Sequence, residues 1–210
     1  VNCEENVNTN GNRARWYFSF HNPYCRFAFE ELSESFPERF RAIEWLPVWD
    51  AAESARRCGR RVELPAGEMS AAKERYVWQD VSRIAQKRGL TMIRPTEESG
   101  RWEVPHLAYL VAERHGRGVE FAGAVYRARW ECGRDVCATE EISGIAEEFG
   151  FGSEVRRAVS DDALLNERAG SVLERAERDG VFGTPFFVVG REKFWGVEWL
   201  RSFAAMLGDG

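Results

Sequence analysis

The chain reads as an α/β protein whose sheet is divided by a long helical interval. Three observations predict this. Two short runs of aromatic and β-branched residues, 16–20 and 43–49, flank one helical run, which is a βαβ opening. From about residue 69 to residue 178 the apolar residues recur at helical spacing, with no strand pattern between them. Two further strand runs, Phe186–Val189 and Glu192–Trp195, turn at Gly190 and lead into a last helix over 197–207.

Each element has a local reason. Asn22 is a good helix N-cap and Pro23 suits the first helical position, because it has no amide hydrogen to lose there. Phe27, Leu32 and Phe36 then follow at roughly helical spacing, so a helix over 23–36 joins the first two strands. A helix over 69–88 stops at Gly89, and further helices are predicted over 105–115, 119–130, 139–149, 154–159 and 162–178. Pro185 heads the third strand, where a proline is confined to an edge or a special turn, and a cis Thr184–Pro185 bond is expected. The resulting organisation is a polar, loose tail over 1–14, a sheet domain formed by 15–66 and 177–210, and a helical insertion over 67–176.

Composition bounds the function. With 210 residues, 44% hydrophobic and 30% charged, the chain can bury a core without staples. A net charge of −5 leaves no electrostatic footprint for nucleic acid or an anionic membrane. No apolar run approaches a membrane span, and the polar start lacks the apolar stretch of a signal peptide, so a cytoplasmic protein is expected. Five cysteines at irregular positions (Cys3, Cys25, Cys58, Cys132, Cys137) fit reduced thiols better than a disulfide framework. Cys132 and Cys137 have no second ligand pair, so no metal is expected.

The most informative segment is Asn22-Pro23-Tyr24-Cys25 behind an apolar strand, because a helix start presents unpaired N–H groups and the positive end of a dipole. Far along the chain stands Val181-Phe182-Gly183-Thr184-Pro185, followed by Phe194-Trp195-Gly196. Together with Lys73-Glu74-Arg75-Tyr76-Val77-Trp78-Gln79-Asp80-Val81 and Trp130-Glu131-Cys132-Gly133-Arg134-Asp135-Val136, these segments resemble, in order, motifs of one branch of the thioredoxin-fold superfamily. That branch holds 2-hydroxychromene-2-carboxylate isomerases, kappa-class glutathione transferases and DsbA-type oxidoreductases. The resemblance implies a thioredoxin-like fold with an all-helical domain inserted between βαβ and ββα halves.

The resemblance also implies a site. Asn22 stands where the isomerases and transferases carry a serine facing the glutathione sulfur, and where the oxidoreductases carry their attacking cysteine. An asparagine is neither nucleophile nor base. If its oxygen caps the helix, its nitrogen is left to donate to a ligand. Cys25 matches the second cysteine of the redox pair; a thiol of lowered pKa and an inert buried thiol both remain open. Thr184 and Pro185 match the backbone that pairs with the cysteinyl part of bound glutathione, and Glu198 matches the acid that receives its ammonium group or else caps the last helix. Tyr24 follows the family tyrosine, either over the ligand or in the core.

His21 lies beside the motif and, titrating near neutrality, can move a proton on and off an enol or phenol, unless strand alternation turns it away. His106 and His115 show no ligand partner and read as solvated or core polar residues. Trp49 and Trp195 are the expected pocket walls for a flat substrate. Arginine outnumbers lysine 26 to 3, a skew that goes with GC-rich coding and with bacteria that use thiols other than glutathione. In that case the glutathione site is vestigial and the cleft serves an aromatic metabolite directly.

The expected function is an isomerase for a small aromatic-derived substrate, working as a homodimer with glutathione or another low-molecular-weight thiol. Asn22 and the helix terminus would stabilise developing negative charge while His21 shuttles protons. A DsbA-like redox protein built on Cys25, and a binding protein that has lost catalysis, are the alternatives.

Overall fold

A computed structural model describes residues 14–49, 69–95 and 100–207. The expected tail, apart from its last residue, the boundary at 66/67, Cys3 and Cys58 lie outside the described residues. Four strands form one mixed sheet in the order β2-β1-β3-β4. β1 (Arg15–Phe18) pairs in parallel with β2 (Glu44–Pro47) and antiparallel with β3 (Phe186–Val189), which pairs antiparallel with β4 (Glu192–Trp195) at the edge. This is the thioredoxin-like α/β arrangement expected of the sequence.

Alternation along β1 builds both faces of the sheet, because successive side chains of a strand point to opposite sides. Trp16 and Phe18 enter the larger core with Trp45 and Phe187. The Trp16 ring meets Trp45 edge-on at 4.6 Å and stacks on Phe187 at 5.8 Å. Tyr17 points the other way, into a smaller core with Leu46, Phe186, Val188 and Ala176.

Two helices join β1 to β2. α1 (Pro23–Ser35) ends at Phe36, and Pro37 then opens a short α2 (Pro37–Ala42) that the sequence reading leaves as part of the connection. The reason is local: proline cannot supply an amide to continue the first helix but fits the first turn of a second. β1 and β2 are shorter than the apolar runs 16–20 and 43–49 that predict them. Beyond Phe18, two backbone donors are diverted from the sheet ladder, Ser19 N–H to Cys25 Sγ at 3.4 Å and Phe20 N–H to His106 Nε2 at 3.1 Å.

The helical interval contains α3 (Ala71–Arg88), α4 (Glu103–Arg114), α5 (Gly118–Trp130), α6 (Thr139–Glu147), α7 (Gly152–Ala158) and α8 (Asp162–Asp179). α3 stops where Gly89 takes the left-handed conformation at φ 66°, as its sequence position predicts. The expected end of the insertion at residue 176 falls inside α8. Arg175 already forms a two-pronged ion pair with Glu44 of β2, at 2.6 and 2.7 Å, and Ala176 packs beneath the sheet. After β4 the chain makes a 3₁₀ turn (Val197–Trp199) before α9 (Leu200–Met206), where the sequence predicts one continuous helix.

Side chains of α1 tie the two regions together. The Arg26 guanidinium, buried on α1, reaches Glu131 at the end of α5 at 2.5 Å. Arg88 of α3 donates to the Phe27 carbonyl at 3.0 Å and to Glu31 at 2.7 Å. The start of α1 is thus held between the sheet and the helical segment. Among the described residues no helix is long and apolar enough to cross a membrane.

Candidate functional site

The junction of β1 and α1 places Asn22 at the N-cap with extended backbone (φ −89°, ψ 117°). Asn22 Oδ1 accepts the Tyr24 N–H at 2.9 Å, and the Asn22 carbonyl accepts the Cys25 N–H at 3.0 Å. Facing Asn22 lies the turn leading into β3, where the Thr184–Pro185 peptide is cis. Asn22 Nδ2 donates to the Thr184 carbonyl at 2.5 Å and also reaches Thr184 Oγ1, at 3.2 Å. The two halves of the motif, 162 residues apart, therefore meet directly. The expectation that the Asn22 nitrogen is left for a ligand is corrected: it donates to the Thr184 carbonyl, with Thr184 Oγ1 also in reach.

Cys25 lies just inside the helix and is fully buried. Burial pushes its thiol up to about 12, against the smaller opposing effects of the Ser19 N–H and a hydrogen bond with Thr184. An attacking thiol needs exposure and a lowered pKa, so a catalytic Cys25 is corrected to a structural one. Cys132 is exposed and Cys137 buried. Among the described residues no group of three His, Cys, Asp or Glu side chains converges as metal ligands.

Tyr24 is half-buried and its hydroxyl donates to Asp80 Oδ2 of α3 at 2.8 Å. Burial first, and then the Asp80 carboxylate, raise the Tyr24 pKa above its ordinary value. Arg83 holds the other Asp80 oxygen at 2.9 Å. Glu198 is exposed in the 3₁₀ turn, close enough to Tyr24 to act on its ionisation. Trp195 is exposed at the end of β4, edge-on to Phe182 at 5.0 Å and packed over Gly183, on the flank of the Thr184 turn.

Around His21 and Trp49 stand three residues that the sequence reading does not place at the site, Trp102, Arg129 and His106. His21 is exposed and its imidazole stacks on the Trp102 indole at 4.3 Å. Arg129, itself buried, lies against the Trp102 and Trp130 rings at 4.4 and 4.5 Å. His106 is fully buried; its Nδ1 pairs with the Trp102 carbonyl at 2.5 Å while its Nε2 accepts the Phe20 N–H. These partners assign the proton to Nδ1. Burial pulls His106 down to about 3, so the ring is neutral. Trp49 stacks on His106 at 5.6 Å, and so reaches the site through a histidine that its sequence position does not announce. One signal was available: His106 interrupts the apolar face formed by Val104, Leu107, Ala108 and Val111, and a buried polar group requires a partner.

A family model, the DSBA-like thioredoxin domain, matches residues 15–208. The chain belongs to this family. Among relatives of this DSBA-like domain, the 2-hydroxychromene-2-carboxylate isomerase of Sphingobium xenophagum is 25% identical over 200 residues, spanning 92% of this chain and 97% of that protein. A solved 2-hydroxychromene-2-carboxylate isomerase superimposes with a TM-score of 0.72 at 20% identity, covering 92% of this chain and 93% of the other. A cytosolic disulfide reductase of Pseudomonas aeruginosa, solved with GSH, gives a TM-score of 0.60 at 16% identity, covering 92% and 96%. These solved structures share the fold of the DSBA-like domain described above.

Proposed function

We propose that this DSBA-like protein is an isomerase for a flat, aromatic-derived small molecule, with His21 as the proton carrier. The reading is carried by one observation: His21 is exposed and stacked on Trp102, immediately before a cap turn locked to the Thr184 turn. An exposed imidazole at this position is placed to exchange a proton with a substrate hydroxyl. The chemistry is a proton cycle. On a 2-hydroxychromene, His21 removes the hemiketal hydroxyl proton as the ring carbon–oxygen bond breaks to a carbonyl and a phenolate; the phenolate's electron pair then spreads along the conjugated chain, and the carbon–carbon double bond gains single-bond character. Rotation follows, and the same imidazole returns the proton, so no oxidant or reductant enters. The relative from Sphingobium xenophagum supports this class of reaction.

The redox alternative is opposed by the side chains themselves. Residue 22 carries no sulfur, and the Cys25 thiol is buried and reluctant to ionise.

The test is turnover of 2-hydroxychromene-2-carboxylate followed by absorbance, with wild type and H21Q compared. Wild-type turnover that falls by about 100-fold or more in H21Q, a typical contribution of a general acid–base, is the expected result. Equal rates in the two proteins would remove His21 from the mechanism.

A further inference from the structure

We propose that Asn22 occupies the thiol subsite of this cleft, and that the protein consequently works without glutathione or another low-molecular-weight thiol. The inference stands apart from the isomerase reading, because it concerns binding alone.

The fold family implies a thiol lying between the start of α1 and the turn before Pro185. In this chain that gap is closed by the protein's own atoms. Asn22 Nδ2 approaches the Thr184 carbonyl to 2.5 Å and Thr184 Oγ1 to 3.2 Å. Nothing the size of a sulfur atom fits along a hydrogen bond of that length.

The donors that would stabilise a thiolate at the helix start are committed too. Pro23 has no N–H, the Tyr24 N–H serves Asn22 Oδ1, and the Cys25 N–H serves the Asn22 carbonyl. The carbonyl of Thr184, which strand-like pairing with a cysteinyl backbone would use, already accepts from Asn22. The asparagine thus supplies from within the chain the contacts that a bound thiol peptide would supply from outside. A serine at residue 22 would cap the helix equally well but is too short to reach across in the same way. The side chain's length, not its capping ability, closes the gap.

The experiment is calorimetric titration of wild type and N22S with reduced glutathione, and in parallel with S-methylglutathione, which cannot form a thiolate. Wild type is expected to give no saturable heat up to ~10 mM of either compound, and N22S to bind reduced glutathione at least ~10-fold more tightly than that limit. A nitrogen-edited NMR spectrum of the wild type provides a second readout that needs no variant. In it the Asn22 side-chain amide and the Thr184 backbone amide are expected to stay in place when glutathione is added. Saturable wild-type binding that moves those two signals, or a folded N22S that binds no better than wild type, would overturn the proposal. Because no turnover is measured, failure of the isomerase assay leaves this result intact.

Discussion

His106 Nε2 accepts the backbone N–H of Phe20 at 3.1 Å, so a histidine of the helical segment holds the chain two residues before the Asn22 cap. With Nδ1 facing the Trp102 carbonyl, the ring is fixed at both nitrogens and cannot add a proton without losing the Phe20 bond. Its folded pKa is pulled down to about 3 from an ordinary 6.5, chiefly by burial. Below pH 6.5 the unfolded chain therefore binds a proton that the folded chain refuses. Stability from this group is full above that pH and is lost as pH falls toward 3, at up to about 1.4 kcal/mol per pH unit for one proton. An H106Q variant has no such proton to bind, so the stability gap between it and wild type should narrow as the solution is acidified. Urea midpoints measured from pH 7 to pH 4 check this; parallel curves would mean that His106 does not stay neutral.

The Tyr24–Asp80 bond ties the first turn of α1 to α3. A partly exposed hydrogen bond to a carboxylate is worth about 1 kcal/mol, so Y24F should destabilise by that order. A double-mutant cycle with D80N should show that most of this is the pair itself. The ionisation of Tyr24 gives an independent check. Because burial is the larger cause of its raised pKa and Asp80 the smaller, D80N should lower the phenol's pKa only part of the way to normal, as followed by ultraviolet titration.

Cys25 and Cys132 should separate cleanly in a labelling experiment. Cys132 is exposed, whereas the Cys25 thiol is buried and raised from 9.0 to about 12. A buried thiol raised in this way stays protonated at pH 8 and is sterically protected as well. Iodoacetamide followed by peptide mass spectrometry should modify Cys132 in the native protein and Cys25 only after unfolding. Rapid native labelling of Cys25 would restore the redox alternative.

Much of the fold is legible in local pattern. The run ending in Asn22-Pro23 announces a strand, a cap and a helix because capping and proline geometry act within a few residues, and the observed α1 begins at Pro23. Gly89 announces the end of α3 for the same reason. α2 is missed because Pro37 stops one helix and starts another within a stretch too short to show a period. The site is legible only in outline. The motifs around Asn22 and Thr184 indicate that the two turns face each other, and they do. That the asparagine would turn its amide onto the opposite backbone, and that His106, Trp102 and Asp80 would complete the surroundings, depends on partners dozens of residues away.

The sequence by itself determined the order of strands and helices, the capped start of α1 and the absence of sulfur at residue 22, because each is a property of neighbouring residues. Only the tertiary structure decided which hydrogen-bonding groups at this junction face one another. A buried donor must find an acceptor somewhere, and where it finds one is settled by the packing of the sheet against the helical segment.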